Sequence, residues 1–267
     1  MAGYETILVE REERVVTITL HRPETLNAYN QTMKEELRAA WTEVRDDPDI
    51  WCAIVTGAGR AFSSGADMSS LDTSDFRKVD RFRELAMIET IRELPTPRRM
   101  GVMKPVITAV NGVCNGVLLD LVTEADIPIA SEEASFLDSH VSIGFVSSHE
   151  IVNLTRRIPV AAAMRMALLG NKERMSAQRA YELGLVTEVT SAEELMPRAR
   201  ELAGLICENA PLAVWATKLG ILRGLGLPID QAEEIAAGYL EIGEQSEDHK
   251  EGPRAFVEKR PPVWKGR

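Results

Sequence analysis

Ala61-Phe62-Ser63-Ser64-Gly65-Ala66-Asp67 is the stretch that decides the fold. It follows an apolar run, Ile50 to Val55, and a glycine-containing turn, Thr56-Gly57-Ala58-Gly59-Arg60. The order is strand, glycine loop, then a loop with no bulky side chain between Ser63 and Ala66. Small side chains let a ligand approach the backbone, so the loop's N–H groups can face a developing negative charge. A Gly-Ala-Asp string alone occurs in many ordinary turns, and a plain tight turn is the bland alternative for Ala66. The stretch gains meaning from a second segment, Lys104-Pro105-Val106-Ile107-Thr108-Ala109-Val110-Asn111-Gly112, which runs on through Asp120.

Outward from these two segments the pattern is strands first and helices later. Residues 5–10 and 14–20 predict a hairpin, with Arg11-Glu12-Glu13 as its polar turn. Asn30 predicts an N-cap for a helix from Gln31 to Arg45, with Met33, Leu37, Ala40, Trp41 and Val44 on one face. Residues 50–55 and Pro105–Val110 predict buried strands, and a charged stretch over 75–93 predicts an amphipathic helix. Asn111-Gly112 signals a turn before a helix over 116–124. Ile127–Ala130, Ala134–Leu137 and Leu185–Val189 predict short strands. Ser176 caps a helix ended by Gly184, and Ser191 to Glu194 fits a capping box for a helix to Glu208. From Pro211 onward the pattern is helical to the C-terminus. This is an α/β core followed by a helical region.

A chain of 267 residues accommodates one large domain with an appendage. The net charge of −10 argues against nucleic acid as a partner, while local basic clusters still allow a polyanionic ligand. No apolar run reaches the ~20 residues needed to span a bilayer, and the N-terminus carries no signal pattern, so a cytoplasmic location without membrane partners is expected. Cys52, Cys114 and Cys207 are scattered and odd in number, so no disulfide framework is expected. Cys52 and Cys114 read as small core residues.

His21-Arg22-Pro23, Leu26-Asn27-Ala28, Ala61–Asp67, Lys104–Gly112, Asp126, Gly184-Leu185-Val186 and Phe256-Val257-Glu258-Lys259-Arg260 together resemble the crotonase (enoyl-CoA hydratase/isomerase) superfamily over nearly the whole length. The resemblance implies an α/β fold built as a spiral of strand-strand-helix turns. Residues 1–200 would form the core with the active site. Residues 201–267 would form a C-terminal helical trimerisation region and a tail that closes over coenzyme A. It implies a homotrimer, or a hexamer as a dimer of trimers. It implies an acyl-CoA substrate and no tightly bound cofactor, coenzyme A entering as part of the substrate. The backbone N–H groups of Ala66 and Val117 would grip the thioester oxygen. Arg22, Ala28, Ala61, Ser64, Gly65, Ala66, Asp67, Met68 and Gly116 fall where the family contacts its ligand, and Phe256 and Lys259 fall in the closing tail. For Lys259 a solvated surface charge is the bland alternative.

The chain departs from the family pattern at the reacting centre. Asn115-Gly116-Val117-Leu118-Leu119-Asp120 keeps one of the usual glycines. A backbone donor tolerates Val117, but Val117 and Leu118 add bulk that would narrow or reshape the acyl pocket. The resemblance aligns the two hydratase glutamates with Asp120 and His140, so an Asp/His acid-base pair is expected. Histidine titrates near ~6.5 and serves as acid or base at neutral pH. Asp120 or Asp138 could orient it. His149 and Glu150 follow closely and are further candidates. The histidine spacing has no metal-ligand signature, and no metal is expected. His21 and His249 read as surface or structural residues. An enoyl-CoA hydratase-like lyase fits this pattern best. A hydrolase of the same fold, cleaving a CoA thioester or a C–C bond of a β-diketone, is the rival, and a non-catalytic CoA-binding protein is the third reading.

Overall fold

The computed structural model describes residues 3–70 and 94–267. The helix expected over 75–93 lies outside them. Strands β1 (Ile7–Glu12) and β2 (Val15–Leu20) form the antiparallel hairpin. Its turn comes later than expected, at Glu13-Arg14, because Arg11 and Glu12 still pair with Val16 and Val15. Helix α1 (Gln31–Asp46) starts where the Asn30 side chain accepts the Met33 N–H at 2.9 Å. It buries Met33, Leu37, Ala40, Trp41 and Val44, the face the periodicity predicts.

Three strand pairs then build the spiral. They are β3 (Cys52–Gly57) with β4 (Ala61–Ser63), β5 (Val106–Val110) with β6 (Val113–Asn115), and β7 (Ile127–Ser131) with β8 (Ser135–Leu137). The first strand of each pair enters a six-stranded sheet and the second enters a four-stranded sheet. With β9 (Met175–Ser176) and β10 (Glu188–Thr190), the orders are β1-β2-β3-β5-β7-β10 and β4-β6-β8-β9. Successive turns of the spiral touch at their corners. A Cβ on Gly112 would lie 2.3 Å from the Arg60 carbonyl oxygen, so only glycine lets these two backbones meet. Strand β10 is shorter than expected, because Leu185 and Val186 are buried in the core before the ladder to Ile129–Ser131 begins.

The expected helix over 116–124 is a 3-10 turn, Gly116–Leu119, running into α2 (Asp120–Thr123). Beyond β8 come α3 (His149–Leu154) and α4 (Val160–Leu169), which sequence patterning did not reveal. Helix α5 (Ala177–Leu183) is capped by Ser176, whose hydroxyl accepts the Arg179 N–H at 3.2 Å, and ends at Gly184 with φ 84°. Ser191 caps only a turn, and α6 (Leu195–Cys207) starts after it. The expected change of architecture at residue 200 falls inside α6, which lays Leu195, Ala199 and Ala203 on Ile54, Ile107, Ala109 and Ile129. Helices α7 (Pro211–Gly224), α8 (Ile229–Glu244) and α9 (Glu247–Glu258) complete the helical region. Lys218 of α7 anchors it, with Nζ 2.7 Å from Asp126 Oδ2 and 2.8 Å from the Lys104 carbonyl. After Lys259 the chain is extended instead of helical, since Pro261 and Pro262 cannot donate to a helix. No single helix among the described residues is long and apolar enough to cross a membrane.

Candidate active site

Strands β4, β6 and β8 lie side by side and parallel, so the loops after them share one edge of the small sheet. Those loops carry residues 64–67, 116–120 and 138–144. Carboxyl ends of parallel strands are where open α/β sheets hold ligands.

The first wall is backbone. Asn27 is fully buried, and its Nδ2 donates to the Ala58 and Ala61 carbonyls at 2.9 and 2.8 Å. Ser64 N–H donates to the Leu26 carbonyl, Tyr29 N–H to that of Gly65, and Asp67 N–H to that of Tyr29. This lacing leaves the Ala66 N–H with no acceptor among the described residues. Arg22 Nη1 sits 2.9 Å from Asp67 Oδ2 and donates to the Ala28 carbonyl, clamping the outer end of the loop. Ala28 and Ala61 are buried, so they offer a ligand only their backbone. Met68 is 48% exposed at the rim.

Gly116 and Val117 continue this wall. Gly116 has φ 59°, and a Cβ there would lie 3.4 Å from His140 Cε1. The His140 ring therefore packs on the glycine that begins the 3-10 turn. N–H groups at a helix start have no intrahelical partner, which leaves Val117 N–H available. The expected narrowing by Leu118 is not seen. Its side chain is 1% exposed and belongs to the hydrophobic core, because the 3-10 turn rotates it away from the wall.

The second wall is titratable. Buried Asp138 lies with Oδ1 2.7 Å from His140 Nδ1 and accepts the His140 N–H at 3.0 Å. Its Oδ2 accepts the Ser147 hydroxyl at 2.6 Å. Burial alone would raise the Asp138 carboxyl, but these hydrogen bonds outweigh it and hold the group below the usual carboxylate range. The same hydrogen bond raises His140 above the ordinary imidazole value, against the opposing effect of burial. Of the two acids considered as its orienter, Asp138 is the one in contact.

Asp120 does not reach His140. It is fully buried, lies 2.7 Å from His149 Nδ1, accepts from Asn153 Nδ2 at 2.9 Å and pairs with Arg99, whose Nη2 lies 3.1 Å away. The expected Asp120/His140 pair is thus two Asp-backed imidazoles. Helix α3 explains it, since His149 and Asn153 are four residues apart and present one face to Asp120. Between the rings stands Glu150, 3% exposed, with Oε1 3.4 Å from His149 Nε2 and 3.8 Å from His140 Nε2. Ligand-bearing atoms of Asp138, His140 and Glu150 lie within 4.8 Å of one another. Both oxygens of Asp138 already accept hydrogen bonds, from His140 and from Ser147.

Asn115 joins the walls. Its Nδ2 donates to the Ser64 carbonyl at 2.8 Å and to Ser139 Oγ at 2.9 Å, and its Oδ1 accepts the Ser139 N–H at 3.1 Å. Asn115, Arg99 and Asn153 were not singled out from sequence. A polar residue ending a buried strand was the available signal for Asn115. Phe256 is 86% exposed at the end of α9, with Lys259 just beyond it, and His21 and His249 are exposed.

The enoyl-CoA hydratase/isomerase family model matches residues 10–267. The chain belongs to that family. Crotonyl-CoA hydratase of Syntrophomonas wolfei is 33% identical, over 97% of each chain. (E)-benzylidenesuccinyl-CoA hydratase of Thauera aromatica is 34% identical, over 97% of this chain and 99% of the relative. A crystal structure of an enoyl-CoA hydratase/isomerase from Mycobacterium paratuberculosis superposes with TM-score 0.87 at 46% identity, covering 99% of each chain. Membership bears out the resemblance drawn from the loop residues and the fold it implied. It also places the Asp-backed histidine pair inside a family of enoyl-CoA enzymes.

Proposed function

We propose that this chain is a lyase that adds water to the double bond of an enoyl-CoA thioester, and removes it in reverse, with two histidines as acid and base. The observation that carries this reading is the pair of imidazoles, each fixed at Nδ1 by a buried aspartate, beside the backbone wall of Ala66 and Val117. Fixing Nδ1 leaves each Nε2 to exchange protons. His140, whose pKa Asp138 raises, is the ring suited to give a proton to Cα. His149 takes a proton from water as the oxygen bonds to Cβ. The thioester oxygen, negative in between, is held by the Ala66 and Val117 N–H groups. Losing one such donor costs ~3 kcal/mol in the transition state.

Coenzyme A would lie along Arg22, Ala28 and the 61–68 loop, with Phe256 and Lys259 closing over a nucleotide, in keeping with the relatives' CoA substrates. Assembly into trimers belongs to the same reading. Ile221, Leu225, Ile229 and Leu240 of the helical region are each more than half exposed, an apolar surface suited to a second copy. A water activated by His149 could also attack the thioester carbonyl, which keeps hydrolysis as the second reading.

The test is loss of the conjugated-thioester absorbance of crotonyl-CoA, with His140→Ala beside the unaltered protein. Turnover that collapses in the variant supports hydration. Release of free thiol without hydrated product would replace hydration by hydrolysis. Crotonyl-CoA that binds but undergoes neither reaction, here and with bulkier enoyl groups, would leave a binding protein.

A further inference from the structure

We propose that Glu150 returns the proton from His149 to His140 after each turnover. The inference rests on the hydration reading above. In that reaction the proton gained by the base is not the proton given by the acid. When product leaves, His149 holds an extra proton and His140 lacks one, so the protonation pattern is inverted and must be reset. The rings are only 16% and 20% exposed at the side chain, which limits exchange with bulk water. Their Nδ1 atoms are engaged by Asp120 and Asp138, so the only mobile proton positions are the two Nε2 atoms.

Glu150 is the group between those atoms. Oε1 lies 3.4 Å from His149 Nε2 and 3.8 Å from His140 Nε2. Closing by roughly 0.2 Å at the shorter separation and roughly 0.6 Å at the longer brings each within hydrogen-bond reach in turn. No water fits into gaps this short, so transfer is direct. Its other oxygen, Oε2, accepts the Ser148 N–H at 3.2 Å, which holds the carboxylate at the start of α3. The steps balance. The His149 Nε2–H bond breaks as a Glu150 O–H bond forms. That bond then breaks as the His140 Nε2–H bond forms. Net charge is unchanged and nothing is oxidised. A histidine pair without such a carboxylate would reset only through solvent or buffer.

The experiment is steady-state hydration of crotonyl-CoA by the full-length protein and by Glu150→Gln, across a series of imidazole buffer concentrations at fixed pH and ionic strength. Glutamine keeps the shape and the Ser148 acceptor but carries no proton. The unaltered protein should show a kcat independent of buffer. Glu150→Gln should lose about tenfold or more in kcat at low buffer, with KM little changed, and should recover saturably as imidazole rises. A kcat for Glu150→Gln equal to that of the unaltered protein at low buffer would overturn the relay, as would a loss that imidazole does not lift. If Glu150→Gln does not fold, Glu150→Asp takes its place; that shorter carrier should slow the reset, so kcat should fall at low buffer and recover as imidazole rises, and an unchanged kcat or a loss that imidazole does not lift would overturn the relay. Failure of the parent reading looks different, since the unaltered protein itself would then not hydrate an enoyl-CoA.

Discussion

The two walls of the cleft are built by opposite means. The wall at residues 61–67 and 116–117 presents main chain, held by hydrogen bonds from buried Asn27 and by glycines at close approaches. The wall at residues 138–153 presents ionisable side chains, held by buried aspartates. The first is a shape that small residues permit. The second is a set of charges whose positions depend on α3 lying against α2. A main-chain wall tolerates many side chains, since every non-proline residue carries an N–H, whereas in the proposed reaction the titratable wall decides which proton moves where. The comparison predicts that changes in the second wall act first on chemistry, and changes in the first wall act first on stability.

The largest expected effect is on turnover. His140→Ala and His149→Ala should each lower kcat by ~10²–10⁴-fold, the usual range for a lost general acid or base. Neither ring belongs to the hydrophobic core, but each backs a buried aspartate, so the melting temperature should fall modestly while kcat collapses. If His149→Ala keeps full activity while His140→Ala does not, the second dyad is structural and the two-histidine scheme fails. Gly112→Ala should behave the other way. Its Cβ would meet the Arg60 carbonyl at 2.3 Å, and backbone on both sides must shift. A loss of about 3 kcal/mol in unfolding free energy is expected from such overpacking. Denaturant titration measures it, and an unchanged midpoint would show that the spiral's corners are looser than this contact implies.

Asn115→Ala tests whether the walls are independent at all. The variant removes two donated hydrogen bonds and one accepted bond that tie Ser64 to Ser139. Unsatisfied partners cost about 1–3 kcal/mol. Stability and kcat should therefore fall together, unlike in either preceding case. A kcat loss without a stability loss would make Asn115 part of the titratable wall alone.

The same division explains what could be read from the sequence. Strand-forming runs, the Asn30 cap and the buried face of α1 follow from local periodicity and showed at once. The 61–67 loop was legible because small residues in a row have few other uses. Asp120, Asp138, His140, His149 and Glu150 were all visible as candidates, but of their pairings only His140 with Asp138 stood among the alternatives, beside Asp120, and His149 with Asp120 did not. Aligned positions suggested Asp120 with His140, whereas α3 carries His149 and Asn153 onto Asp120 and leaves His140 to Asp138. That exchange depends on how a six-residue helix packs, which no spacing rule along the chain encodes. Leu118 misled for a related reason. Its bulk counted against an open pocket until the 3-10 turn placed it in the core.

The finest distinction between the walls is their response to pH, and Asp138→Asn isolates it. The folded His140 has a raised pKa, so the stability its partnership contributes is fully present below ~6.5 and is lost as pH rises through the raised value. The folded Asp138 has a lowered pKa, so its contribution is present above the ordinary carboxylate value of ~3.9 and is lost as pH falls through the lowered one. The dyad is therefore strongest between about pH 4 and 6.5. Asp138→Asn should lower the melting temperature most inside that window, with the difference from the unaltered protein shrinking above it. Activity should follow the same titration from the other side. If His140 must be protonated to deliver its proton, the rate falls as pH climbs through its raised pKa. Removing the Asp138 charge should move that alkaline limb to lower pH. A pH–rate profile of kcat for crotonyl-CoA hydration measures the limb. A limb that stays in place would mean that His140 does not donate the proton, and the acid would have to be sought at His149.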